Sequence, residues 1–414
     1  MDTLNLPGVK TSGVQHLGPG YLARAEIVSQ TTNCPKCGSD KLSAFGTRKI
    51  RYMDLPLHGE RALIDLDRQR YQCQSCKITF MAASEAFDPD YRLTTRAVKW
   101  MEKEAIHKPF THVGQHMGVD EKVVRNIFRR YAQKREKELK PVAGRIIGID
   151  ELYLISQYRC IISNLEKKTV IDLLPQRKYP AVCEYLKHLD GKDNIEVVCI
   201  DMWEPYKNAV RAVLPKASIV VDKFHVAKIA NECLDKIRKE YQRTLKTGTR
   251  LDLMRSRHIL LRRSRDLSDE HKAKLAVWRK ACPELADAYD HKERFFDIYN
   301  SRDPKAAMAA YNAWADSLPL SISKAFHPLQ VSVRNWQSEI FGYFGSRYTN
   351  AYTECLNGIT KITNRTGRGY SFDVIRFKLL FGHSHQKRFQ PSMKAELMNL
   401  GVPFSTFDEK FDDE

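Results

Sequence analysis

RIIGID at residues 145–150, RCIISN at 159–164, TVIDLLP at 169–175, IEVVCID at 195–201 and ASIVVD at 217–222 decide the central architecture of this 414-residue chain. Each is a short apolar run bounded by polar or turn residues, the pattern of a buried strand. LEKK at 165–168 joins the second and third runs as a hairpin. Helical patterns at about 180–190 and 205–213 separate the later runs. Three antiparallel strands followed by alternating helix and strand predict a mixed α/β sheet.

That order is the ribonuclease H one, with the hairpin on one side of the first strand and the fourth strand on the other. Asp150 and Asp201 close the first and fourth runs. An ionised aspartate at the end of an apolar strand points to a site at the sheet edge, because burial without a partner is costly. On neighbouring strands the two carboxylates stand about 5 Å apart, a spacing that suits one bridging Mg²⁺ (or Mn²⁺). Asp222 closes the fifth run, about 10 Å from the first strand by two strand spacings, so Asp201 is the preferred ligand. Asp222 and His225 form an Asp-x-x-His unit entering a helix, expected either to cap that helix and support the site or to contact the reacting strand. A third carboxylate comes from TNAYTECLNGITK at 349–361. There Thr349 or Asn350 can cap a helix that carries Glu354, Asn357 and Lys361 on one face. TGRGYS at 366–371 follows as a turn, and Arg365 and Arg368 suit phosphates. Two Mg²⁺ ions about 3.5–4 Å apart on such carboxylates can drive in-line attack on phosphate. No P-loop is present, which fits a transesterification without an external energy source.

Upstream, Cys34-Pro-Lys-Cys37 and Cys73-Gln-Ser-Cys76 are two C-x-x-C knuckles, four soft ligands for a structural tetrahedral zinc. The stretch between them reads as two strands turning near Pro56 and Gly59, a zinc ribbon. His58 is a possible further ligand. Residues 85–140 change to helical periodicity. Asp120 and Thr111 are candidate caps, and Val113, Met117, Val119, Val124 and Ile127 recur as a helix-turn-helix core requires, with Gly114 at the close approach. Lys122, Arg125, Asn126, Arg129 and Arg130 are expected on the opposite face, toward a DNA groove. The plainer alternative is a solvated basic face on a helical hairpin.

The chain carries 68 Lys and Arg against 50 Asp and Glu, a net +18. Such an excess favours a polyanionic partner, nucleic acid before membrane. Residues 92–140 hold 13 Lys/Arg and 6 Asp/Glu, and residues 226–280 hold 16 and 7, so both regions are candidates for the contact. The six cysteines outside the knuckles read as reduced core residues. Without an 18-residue apolar window or a signal-peptide pattern, a cytoplasmic location is expected. The expected domains are an N-terminal arm at 1–33, a zinc ribbon at 34–84, a helix-turn-helix at 85–141, and a ribonuclease H-like core at 142–225 and 345–388. An all-α insertion at 226–344 interrupts that core, and an acidic tail at 389–414 ends the chain. The whole is a multidomain α+β protein.

In this order the two C-x-x-C pairs, the helix-turn-helix, IIGIDE, DMWEPY, VVDKFHV, TNAYTECLNGITK and GRGYSF resemble the DDE transposases of bacterial insertion sequences, specifically the ISL3 group. The resemblance covers about residues 34–385. It implies a ribonuclease H-like core interrupted by a helical insertion, with Asp150, Asp201 and Glu354 as the catalytic triad. It implies also that Asp222 and His225 are an accessory motif and that Trp203 and Tyr206 belong to the block around Asp201. The implied partners are double-stranded DNA, both terminal repeats and target, and further copies of the chain as a dimer or higher oligomer in a synaptic complex at the bacterial nucleoid. Two other readings share these features: a catalytically inactive DNA-binding regulator, and a nuclease that cuts without joining. A tyrosine recombinase does not fit, since no tyrosine follows the H-x-x-R of His385 and Arg388.

Overall fold

The structure, a computed structural model, describes residues 4–28 and 31–383. His385, Arg388 and the 389–414 tail lie outside the described residues. The chain divides into two compact units, one of Met1–Leu139 with Ile362–Gly382 and a second containing Lys140–Lys361.

In the first unit, β1 (Val9–His16), β2 (Gly20–Ile27), β3 (Leu42–Leu57) and β4 (Glu60–Cys73) form a sheet in the order β1-β2-β4-β3, with the short β5 (Thr79–Met81) on β4. The β3–β4 hairpin turns at His58 and Gly59, both with positive φ. Ile50, Tyr52, Ile64 and Leu66 from the hairpin meet Val9, Ala23 and Ala25 from the first two strands. Residues 9–27 therefore belong to the sheet, where an irregular arm was expected. The signal there is faint because β2 buries only the small Ala23 and Ala25 in the core, with Ile27 partly buried beside them, and pairs, in parallel, with a strand about forty residues away. Gly20 is required for that pairing: a Cβ at its φ of +156° would collide with the Arg61 carbonyl.

Three helices follow, α1 (Thr95–His107), α2 (Phe110–Met117) and α3 (Glu121–Glu138). Thr94 and Asp120 cap α1 and α3 through side-chain oxygens, and Gly118 ends α2 in the left-handed region. Val113, Met117, Val124, Ile127 and Phe128 are fully or almost fully buried. A Cβ on Gly114 would lie 2.8 Å from the Val119 carbonyl oxygen, so the small residue is needed. Thr111 caps nothing; it lies inside α2, whose first N–H, from Phe110, donates to the Tyr370 hydroxyl at 2.9 Å. Tyr370 precedes α15 (Phe372–His383), from which Lys378 donates to the carbonyls of Ala105 and Lys108 at the end of α1. Residues 362–382, expected within the second part of the core, thus pack against the three-helix segment.

In the second unit, β6 (Ile146–Leu154), β7 (Gln157–Asn164), β8 (Thr169–Leu174), β9 (Val197–Ile200) and β10 (Ser218–Val221) form a sheet in the order β10-β9-β6-β7-β8. β6, β7 and β8 run antiparallel to their neighbours in the meander, and β9 and β10 pair in parallel. The connections are α4 (Tyr179–His188) and α5 (Glu204–Val213), whose Val182, Leu186, Tyr206 and Val210 join Ile147, Ile149, Val198 and Ile200 in one core. From Lys223 to Ser346 the regular elements are helices: α6 (Lys223–Thr244), α7 (Thr247–Arg255), α8 (Arg257–Leu261), α9 (Asp269–Ala281), α10 (Pro283–Asp297), α11 (Pro304–Asp316), α12 (Leu320–Asn335) and α13 (Gln337–Ser346). Gly342 of α13 lies against the β10 backbone at Ile219. The helix α14 (Ala351–Gly367) follows and divides between the units at Lys361. Of the six cysteines outside the knuckles, all but the exposed Cys355 are buried. No described helix is long and apolar enough to cross a membrane.

Candidate functional site

The parallel pairing of β6 with β9 ends at Ile149 and Ile200, so Asp150 and Asp201 are the next residue on each strand. β6 itself continues to Leu154 in its hairpin with β7, so Asp150 ends a pairing and not a strand. Ligand atoms of Asp150, Asp201 and His225 lie within 4.8 Å of one another, and those of Asp222, His225 and Glu354 form a second such group. Asp222, placed by strand spacing at a distance, therefore belongs to the cluster. Its Oδ1 also accepts the Phe224 N–H at 3.2 Å and caps α6 as expected. His225 joins the two groups: its Nε2 is 2.8 Å from Asp201 Oδ1 and 3.9 Å from Glu354 Oε1.

Glu354 arrives through the docking of α14 on β6. Gly148 has no side chain, and a Cβ there would collide with Asn350 and Thr353. Thr353 shares a 2.7 Å hydrogen bond with Ser163, and the Asn350 amide donates to the Ile149 carbonyl at 3.0 Å. One turn on, Asn357 Nδ2 donates to Asp150 Oδ2 at 2.7 Å and to the Glu151 carbonyl at 3.2 Å. Asn357 is buried against the sheet while Glu354 is partly exposed and Lys361 exposed, so the three do not share one solvent-facing row. Gly148 and Thr353 were not singled out in the sequence, and Asn350 only as a candidate helix cap; the glycine in RIIGID is the one signal that could have marked the close approach.

Burial and the neighbouring Asp201 push Asp150 up to about 8. Burial likewise raises Asp222 and Glu354. Burial pulls His225 down, but the hydrogen bond its ring N–H donates to Asp201 and the charges of Asp201, Asp150 and Asp222 outweigh it and the ring's pKa rises. Asp222 Oδ2 is buried without a hydrogen-bond partner, and Asp201 Oδ1 meets only the His225 ring nitrogen at 2.8 Å. Crowded oxygen ligands with unsatisfied lone pairs fit a hard divalent cation such as Mg²⁺ or Mn²⁺. Trp203, partly exposed, packs with Arg177, whose guanidinium lies 4.5 Å from its ring centre, 4.0 Å from that of Tyr158, and pairs with Glu151. Tyr206 is fully buried core.

In the first unit the four sulfurs of Cys34, Cys37, Cys73 and Cys76 close on one another, with Cys34–Cys76 and Cys37–Cys73 both 3.6 Å apart. Four ligands at 2.3 Å from a tetrahedral centre sit about 3.8 Å apart, so the group fits zinc. The N–H groups of Cys76 and Ser75 hold Cys73 down to about 6 despite burial. His58 stays in the hairpin turn beside Tyr21, outside the sulfur group.

On α3, Lys122, Asn126 and Arg129 are exposed along one face. Arg130 is not available in the same way: it pairs with Asp88 at 2.6 Å and Asp90 at 2.7 Å, which lifts its pKa further. Arg125 pairs with Glu121. Arg365, on the last turn of α14, and Arg368, just beyond it with a positive φ, are exposed.

Comparison with known proteins gives three family matches. A transposase family of the ISL3 type, by its DDE-transposase model, matches residues 147–379. The zinc-finger of transposase IS204/IS1001/IS1096/IS1165 matches 30–76, and the helix-turn-helix domain of transposase family ISL3 matches 85–132. Among curated proteins, the transposase for insertion sequence element IS1001 of Bordetella parapertussis is 22% identical over 346 residues, 81% of this chain and 85% of that protein.

Proposed function

The chain belongs to the ISL3 family of transposases, and from that premise we propose that it cuts and joins DNA strands at a divalent-metal site held by Asp150, Asp201 and Glu354. The observation that carries the reading is their convergence on His225: two strand-borne aspartates at adjacent pairing ends on one side of it, and on the other a glutamate delivered by a helix docked on one of those strands. We read the second-unit sheet as a ribonuclease H-like core, and the helices within 226–344 as an insertion into it. Mg²⁺ or Mn²⁺ bound by the three carboxylates supplies positive charge for in-line displacement at phosphorus.

The chain's own residues prepare that site. Asn357 fixes the orientation of Asp150 by its 2.7 Å hydrogen bond. His225 orients Asp201, lies near Glu354, and with its raised pKa offsets the mutual repulsion of the acids. Asp222 holds the start of α6, and with it His225, in place. Lys361 stands farther along α14, where it suits a phosphate of the bound strand. The zinc ribbon and the helix-turn-helix are DNA-binding domains, and we assign Lys122, Asn126 and Arg129 to the groove and Arg365 and Arg368 to backbone phosphates. Arg125 and Arg130 keep a supporting role through their ion pairs. The substrate is then the element's terminal repeats, followed by target DNA, handled by two or more copies of the chain at the bacterial nucleoid.

The test is strand transfer. Pre-cleaved terminal-repeat DNA with a free 3′-hydroxyl, incubated with Mg²⁺ and a target plasmid, should yield joined products with the wild type and none with Glu354→Gln. Cutting without joining by the wild type would instead mark a nuclease, and unchanged joining by the variant would remove Glu354 from the site.

A further inference from the structure

Trp203 is 37% exposed two residues beyond Asp201, although Tyr206 in the following turn is fully buried. Its indole is held before any ligand arrives, because Arg177 stacks on it while pairing with Glu151. It forms one wall of a cavity of about 430 Å³, with Met202, Ile229 and Trp336 as the other apolar walls. Trp336, at the junction of α12 and α13, is held in turn by Lys207, whose Nζ is 4.4 Å from its ring centre and 2.9 Å from Glu339. Lys228, Glu232 and Ser332 supply polar groups, and Asp201 borders both this cavity and the carboxylate cluster.

We propose that the cavity receives one nucleobase, unstacked from the strand whose phosphate lies at Asp150 and Asp201. The inference rests on the phosphoryl-transfer reading for the placement of that phosphate. Two indoles and an aliphatic wall suit a flat aromatic ligand, and the carboxylate, hydroxyl and ammonium groups can meet the donors and acceptors of its edge. Three acids of the lining, Glu151, Asp201 and Glu232, outnumber its cationic groups, Lys228 and His225, which favours a neutral base over a second phosphate. The volume lies toward the lower part of the roughly 300–1,000 Å³ range of ligand cavities, room enough for a single base. Because Asp201 borders both regions, a nucleotide whose phosphate is at the carboxylates has its base within reach of Trp203. An unstacked base also leaves its phosphate free to turn away from the duplex and toward the acids.

The test uses the full chain and terminal-repeat DNA with 2-aminopurine placed at each position flanking the terminal phosphate in turn, with Ca²⁺ in place of Mg²⁺ so that strands stay intact. One position should change its emission on binding far more than the others, and both Trp203→Ala, which removes the platform, and Ser332→Trp, which fills the cavity, should abolish that change. Trp203 is partly exposed, so its variant should keep the fold, and melting temperature is read alongside. With Mg²⁺, Trp203→Ala should cut normal DNA about tenfold or more slowly, whereas DNA with an abasic nucleotide at the responding position should be cut equally by both proteins. A uniform emission response, a response retained in both variants, or an abasic substrate as sensitive to Trp203→Ala as normal DNA would overturn the base pocket. Cleavage that survives Asp201→Asn would instead overturn the phosphoryl-transfer reading.

Discussion

Asp150 shows what the site demands of a single residue. Burial and the charge of Asp201 move its pKa from 3.8 up to about 8. An acid that holds its proton more tightly when folded leaves stability unaffected below the unfolded value, lowers it as pH climbs between the two values, and adds no further slope above. The metal-free protein should therefore lose thermal stability as pH rises from 3.8 to about 8, and Asp150→Asn should flatten that decline. Mg²⁺, by binding only the assembled ionised cluster, should raise the melting temperature most at the upper end of the window. An identical pH slope in Asp150→Asn would show that this carboxyl is not the group responsible. The placement of Asp150 and Asp201 at adjoining strand positions and of Glu354 on a helix was legible in the sequence, because an acid closing an apolar strand or standing on a polar helix face is conspicuous. The partner that orients Asp150 was legible only in part: Asn357 was singled out as sharing a helix face with Glu354 and Lys361, but its amide donates to Asp150.

At the scale of elements, the contact between β6 and α14 decides whether Glu354 is in place. Gly148→Ala would force Asn350 and Thr353 off β6, with a cost of about 1–3 kcal/mol. Cleavage should fall steeply while terminal-repeat binding is retained; wild-type cleavage would mean that α14 is not held this way. On α3, Lys122→Ala and Arg129→Ala should each weaken DNA binding and reduce the steepness of its salt dependence by about one ion. Arg130→Ala should instead lower the melting temperature, since its guanidinium ties α3 to Asp88 and Asp90. An equal salt effect from all three would place Arg130 on the DNA. Helical periodicity put these cations on one face, but periodicity carries no information about acids forty residues upstream. β1 and β2 escaped notice for a related reason: their alternation is weak, and their pairing partner is distant in sequence. Tyr370, which receives the first N–H of α2, is 260 residues from its partner.

At the scale of the whole molecule, the net charge of +18 is distributed over a chain whose domains, on the proposed function, carry separate tasks. The zinc ribbon was readable from two C-x-x-C knuckles because metal geometry demands local pairs, whereas the membership of 362–382 in the first unit was not, since it depends on long-range packing. Cys34→Ser/Cys37→Ser should release one zinc per chain and abolish terminal-repeat binding, with the metal content read by atomic absorption. The division of labour itself is tested most directly by measuring binding and strand cleavage on the same terminal-repeat duplex with Asp201→Asn. The account predicts a dissociation constant within about threefold of the wild type, because the exposed cations of the DNA-binding domains are untouched, together with a loss of Mg²⁺-dependent cleavage of about a thousandfold or more. Cleavage by Asp201→Asn at the wild-type rate would contradict it.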